Sequence, residues 1–170
     1  MIDLDRCIAL LSRHGQVIRE LASDASPDQA RWKPDPDSWS ILEVACHLYD
    51  EEREDFRVRL RHLLDQAEGL PPAIDPGGWV TSRHYDQRDL GKVLAGFVRE
   101  REASLAWLET LRDADWDVGI DMRFGRMCAG DLLMAWVAHD LLHLRQLIEL
   151  RYAYLREQAQ PYRLDYAGEW

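Results

Sequence analysis

Two histidines four residues apart, His139 and His143, are the side chains whose type and spacing most directly permit chemistry in this chain. On a helix, positions i and i+4 share one face with Cβ atoms ~6 Å apart, so two imidazoles there can bind one cation. The same spacing fits an ordinary packed or solvated pair, which makes direction along the helix informative. At ~100° per residue, Leu132, Trp136, His139, His143, Leu147 and Leu150 fall within about 80° of arc. Both imidazoles therefore project from an apolar stripe into the protein interior. A buried imidazole needs a partner, and a backbone carbonyl serves as well as a metal. Asp140 also falls on the apolar half of this helix, where an unpaired carboxylate is costly. A hydrogen bond to a ligating imidazole from another helix and an ion pair with an arginine would each explain it.

His47 is the third candidate. The apolar residues of its helix, Ile41, Val44, Ala45, Leu48 and Phe56, centre on one arc, and His47 lies toward the edge of that arc. A solvated edge histidine fits this position. So does a ligand in a groove open to water on one side, as catalytic metal sites require. Glu52 stands out in the same helix because it occupies the middle of the apolar arc. Cys46 adjoins His47 in sequence but points ~100° away on the helix and reads as a small buried hydrophobe.

The elements that must position these groups are legible as four long helices. Leu4, Ile8, Leu11, Ile18 and Leu21 keep helical spacing over residues 3–22. Ser26-Pro27 opens a short helical turn. Ser40 with Glu43 forms a capping box that starts helix two near Ile41, and the pattern runs to about Asp65. The proline- and glycine-rich stretch GLPPAIDPGGWVTS then predicts a long crossover loop carrying Trp79. Helix three spans about Asp89 to Arg112, with Asp89 as cap. An extended pair is expected around Val118 to Met127, and a final helix from about Ala129 to Glu157. The expected architecture is all-α, a four-helix bundle in a single domain over 1–170 with a tail from about 159 to 170. Trp39 and Trp136 are expected to pack around the site. The run EEREDFRVRLRH reads as a mostly solvated face with opposed charges.

Composition narrows the functional classes. The 170 residues are 46% hydrophobic and 31% charged, with a mean hydropathy of -0.42, the profile of a soluble globular domain. A net charge of -10 repels phosphate backbones. The arginines at 53, 57 and 61 lie among Glu43, Glu51, Glu52, Glu54 and Asp55, so no basic stripe emerges and nucleic-acid binding is not expected. Cys7, Cys46 and Cys128 are too scattered for a disulfide framework or a CxxC metal pattern. No basic leader or long apolar run appears, which suggests a cytoplasmic protein with no membrane contact.

Taken together, ARWKP, SWSILEVACHLYDEE and HDLLHLRQ, in that order and spacing, resemble the DinB/YfiT-like superfamily of metal-dependent enzymes. The resemblance covers about residues 5–157. Its motifs are Trp32-x-Pro34, Trp39-Ser40, His47-Leu48-x-Asp50-x-Glu52 and the His139/His143 pair followed by Gln146. The closing YAGEW adds a weaker likeness. The resemblance implies an up-down-down-up four-helix bundle in which His47, His139 and His143 hold one divalent ion, zinc or nickel. Glu52 and Asp50 match the family's acidic positions after the first histidine, where they either orient a ligand or tie helices together, and Asp140, Glu52 and Gln146 are the residues expected behind the ligands.

Three neutral imidazoles leave a bound dication its full Lewis acidity, able to activate water or a thiol. The resemblance implies two enzymatic readings. The favoured one is an S-transferase using a low-molecular-weight thiol such as bacillithiol or mycothiol. The other is a hydrolase of amides or esters, with Glu51 or Asp50 as proton acceptors. A third reading, of a different class, is a non-catalytic metal-binding scaffold, a homodimer through an exposed bundle face.

Overall fold

The structure is a computed structural model that describes residues 2–122 and 125–168. Its frame is four long helical segments. The first, α1 (Leu4–Ser23), is capped by Asp3, whose side chain accepts from the Arg6 N–H. A short α2 (Pro27–Arg31) follows, capped by Ser26 with proline in its first turn. The second long segment begins with α3 (Ile41–Glu51), and both halves of the predicted capping box between Ser40 and Glu43 are formed. It continues through one π-helical turn at Glu52–Phe56 into α4 (Arg57–Leu64). Next come α5 (Pro76–Ser82) and α6 (Leu90–Leu108), the latter capped by Asp89. The last, α7 (Ala129–Gln158), is reached through an antiparallel pair, β1 (Gly119–Met122) and β2 (Gly125–Cys128). Arg123 and Phe124 of the expected extended pair, and Glu169 and Trp170 of YAGEW, lie outside the described residues. No helix among the described residues is long and apolar enough to cross a membrane.

The apolar faces close two adjoining clusters. One gathers Ile18, Ile41, Leu42, Leu94, Phe97 and Leu147; the other gathers Leu11, Phe56, Leu60, Leu108, Leu133 and Trp136. Arg101 of α6 touches both, with its guanidinium 5.1 Å from the Phe97 ring and 5.9 Å from the Trp136 ring. It is buried, and its partners are buried too. Its Nη1 donates to Asp140 Oδ2 and to the Leu11 carbonyl, both at 2.7 Å. Its Nη2 donates to Asp140 Oδ1 at 2.9 Å and Glu52 Oε2 at 2.8 Å. Four helical segments thus meet on one guanidinium, the bidentate recognition that arginine's planar fork favours. Burial pushes the Asp140 carboxyl up, but Arg101 overrides this and holds it below the usual carboxylate range. Gly15 makes room, since a Cβ there would stand 3.3 Å from Arg101 Cγ.

The second long segment and the stretch after it correct three expectations. The segment is not one continuous α-helix, because the π-turn inserts an extra residue per turn at Glu52–Phe56. Nor is the acidic run a solvated face. Glu51, Glu52, Asp55 and Phe56 are buried, and Arg101 of α6 pairs with Glu52. The predicted crossover loop also carries structure, namely α5 and a 3-10 turn at Tyr85–Gln87. Asp75 caps α5 by accepting from the Gly78 N–H at 3.0 Å, which is how a Pro-Gly-Gly sequence begins a helix. Trp79 packs against the core and under the Arg83 guanidinium at 4.0 Å.

Candidate metal centre

His47 projects from α3, while His139 and His143 project from α7 at successive turns. Their Nε2 atoms converge: His139 Nε2 lies 3.2 Å from His47 Nε2 and 3.1 Å from His143 Nε2. One ligand atom from each of the three residues lies within 4.8 Å of the others. A tetrahedral ion with bonds of ~2.0–2.1 Å sets neighbouring ligand atoms ~3.3 Å apart, close to what is seen. His47 is only 5% exposed, so the solvated edge position is excluded.

Burial and the two neighbouring imidazoles push His47 down to about 3. Burial, then His143, pushes His139 down to about 4, and burial lowers His143 as well. All three are therefore neutral near pH 7, the form that binds metal. The His143 tautomer is fixed from behind. Its Nδ1 contacts Gln146 Oε1 at 2.8 Å; an amide oxygen accepts, so Nδ1 carries the proton and Nε2 presents a lone pair. His139 Nε2, with one lone pair or one proton, cannot satisfy both neighbours. A single cation satisfies all three.

The walls are aromatic. The Trp39 ring lies 4.9 Å from His47 and stacks parallel to His143 at 6.5 Å. Phe56 lies 5.0 Å from the His139 ring and stacks on Trp136 at 5.6 Å. The π-turn makes the Phe56 contact. Nine residues of unbroken α-helix would point Phe56 ~180° from His47, whereas one extra residue in the turn brings it back to ~80°.

The sequence-derived acids separate into distinct groups. Asp140 takes the arginine option, and with Glu52 it binds Arg101 rather than an imidazole. Glu52 Oε2 also accepts from Trp136 Nε1 at 3.1 Å, so it acts on the site through the tryptophan. Asp50 is fully buried and its oxygens are committed, accepting from Tyr85 Oη at 2.8 Å, Arg83 Nη1 at 2.7 Å and Arg53 Nη2 at 3.1 Å. It is tied away from the imidazoles and cannot act as their proton acceptor. Glu51 is buried with Oε1 unpartnered among the described residues. Asp55, which the sequence placed on a solvated face, is buried as well and is ion-paired with Arg59. Its buried neighbour Phe56 was the available signal. Burial drives the Cys46 thiol up to about 12, in keeping with an inert core residue, and all three cysteines are unpaired.

A groove of about 490 Å³ opens beside His143, lined by Asp37, Ser38, Trp39, Gln146 and Glu149 among others, with no lysine or arginine among the described residues. A larger groove of about 790 Å³, bordered by Arg19, Arg31 and Arg99, contains none of the imidazoles.

The profile of the DinB superfamily matches residues 10–147 of this chain. The chain belongs to the DinB superfamily. No curated protein matches it. Among solved structures it is similar to YfiT from Bacillus subtilis, at 18% sequence identity over 88% of this chain and 87% of that one, with a TM-score of 0.78. That protein is described as "a probable metal-dependent hydrolase with an unusual four-helix bundle topology". At this identity the likeness establishes the four-helix-bundle fold, and it accords with the DinB membership.

Proposed function

We propose that this DinB-superfamily protein is a divalent-metal-dependent hydrolase of amides or esters, with His47, His139 and His143 as the metal ligands. The observation that carries this reading is the convergence of three neutral imidazole nitrogens that no internal hydrogen-bonding scheme satisfies. A zinc or nickel ion held there would supply Lewis acidity, polarising a substrate carbonyl and acidifying an incoming nucleophile. The protein's own groups do the rest. Gln146 holds the His143 ring in its ligating tautomer. Trp39 and Phe56 shield the ring nitrogens from bulk water, which strengthens every electrostatic interaction inside. The groove beside His143 gives a substrate access from one side.

Thiol transfer, favoured on sequence, finds less support in the groove. Its charged lining groups are Asp37 and Glu149, the latter ion-paired with Arg145 at 3.4 Å, and no lysine or arginine of the lining itself stands ready to receive the carboxylates of a thiol such as bacillithiol. Hydrolysis asks only for water and a neutral or cationic substrate.

Metal titration comes first. One equivalent of zinc or nickel should bind, and His143→Ala should abolish binding while circular dichroism stays unchanged. Retention of metal by that variant rejects the site. Metal-loaded protein incubated with esters and amides should then release acid products without thiol. S-conjugates formed only with thiol would favour transfer, and inertness in both assays would favour a scaffold.

A further inference from the structure

The groove of about 790 Å³ lies between the end of α1, α2 and the start of α6, and it shares no lining residue with the groove beside His143. Its size falls in the range of ~300–1,000 Å³ that small-molecule sites occupy. Along α6, Leu94 and Val98 form one four-residue row, and Gly91, Ala95 and Arg99 form the row beside it. The small side chains of the second row leave the space open. Ala30 and Leu94 are buried, and with Ala25 and Val98 they make an apolar floor.

Charge around this floor runs against that of the whole chain. The protein carries -10, yet the charged lining here is Arg19, Arg31 and Arg99 against Asp89 alone. Asp89 Oδ1 is already engaged, accepting from the Lys92 N–H at 2.8 Å as the cap of α6. Arg19 and Arg99 have no ion pair among the described residues. Arg31 is fixed by backbone: Nε donates to the Asp86 carbonyl and Nη1 to that of Pro27, both at 3.3 Å, and Nη2 to that of Arg88 at 3.2 Å. Carbonyls hold the guanidinium in place without neutralising it. Arg31 therefore marks the end of the floor where α6 begins. Arg19 borders Val98 in a second groove as well, which sets it across from Arg99 at the other end, ~12 Å along α6.

We propose that this groove binds an amphipathic carboxylate, a molecule with an apolar body and one ionised carboxyl group. Arg19 and Arg99 clasp the carboxylate from opposite walls, each offering the planar fork that matches its two oxygens. The body lies over Leu94 and Ala95 toward α2, where removal of apolar surface from water drives binding. Arg31 adds a fixed positive charge at the far end, so the field along the groove favours anions. No aromatic side chain lines the groove among the described residues, which leaves a nucleobase nothing to stack on.

Calorimetric titration of the full chain with octanoate, octanol and octylamine tests the site, because the three share one apolar body and differ in charge. One equivalent of octanoate should bind, with octylamine about 10-fold weaker or more. Zinc-loaded and zinc-free protein should give the same octanoate affinity. Binding that appears only with zinc would assign the carboxylate to the histidine centre and overturn the proposal. Arg19→Gln and Arg99→Gln should each weaken octanoate about 10-fold or more, as loss of a charged hydrogen bond does, and leave octanol unchanged. Ala95→Trp, at an exposed position of α6, should fill the groove and remove octanoate and octanol alike while circular dichroism stays as in the parent. A parent that binds no octanoate, equal affinity for octanoate and octylamine, or arginine variants that bind octanoate as the parent does would each overturn the site.

Discussion

Gln146 decides which nitrogen of His143 faces the other imidazoles, and its effect should be measurable. Gln146→Leu keeps the bulk but removes the acceptor, and zinc affinity should fall about 10–100-fold, the usual loss when an outer hydrogen bond to a ligand goes. Competition with a chromophoric chelator would measure this, and an unchanged affinity would show that packing alone sets the tautomer. The histidines also make stability depend on pH. His47 and His139 titrate near 3 and 4 in the fold, against an ordinary 6.5. Between those values the unfolded chain binds more protons, so the metal-free protein loses stability as pH falls below 6.5. The slope is at most about 1.4 kcal/mol per pH unit for each histidine. Glu51 acts in the opposite direction, because a carboxyl raised from 4.5 to about 8 costs stability as pH rises through that range. Comparing urea midpoints of the parent with those of His47→Gln isolates the histidine contribution. A difference constant from pH 7 to 4.5 would contradict the buried neutral ring.

At the scale of elements, the arginine that joins the helices is the feature most exposed to a single change. Arg101→Ala would strand Glu52 and Asp140 as buried carboxylates, and breaking such a cluster costs about 3–5 kcal/mol. Replacing all three by apolar residues of similar size, Arg101→Met with Glu52→Leu and Asp140→Leu, should cost less than the single change. Each buried charge then disappears along with its partner. Chemical denaturation of the two variants checks this ordering. The capping box at Ser40 and Glu43 and the apolar periodicity of α1 and α7 were legible in the sequence, because each signal acts within a turn or two. The π-turn was not. Nothing in EREDF disfavours ordinary helix strongly, and the extra residue serves contacts with α6 and α7 that a helical wheel cannot contain.

For the molecule as a whole, charge and shape point the same way. With 31 acidic against 21 basic residues and a groove whose charged lining is acidic, duplex or single-stranded DNA at low salt should leave fluorescence anisotropy flat. Binding that weakens steeply with salt would reveal a basic surface in the assembled fold. For the same reason, neutral and cationic esters should be turned over in preference to anionic ones. An inverted preference in kcat/KM would remove the groove beside His143 from the substrate path.

Sequence alone determined the bundle, the caps and the candidacy of His139 and His143, since these depend on periodicity and on neighbours a few residues away. It also supplied His47, through the DinB likeness of its motif, where the wheel by itself left the residue at an edge. Only the folded chain decided that His47 meets residues on α7, that Asp140 and Glu52 share Arg101, and that Asp50 is tied to Tyr85, Arg83 and Arg53. The cross-helix contacts join positions far apart along the chain, and their existence depends on how helices rotate and pack against one another. Side-chain identity within one element does not carry that information.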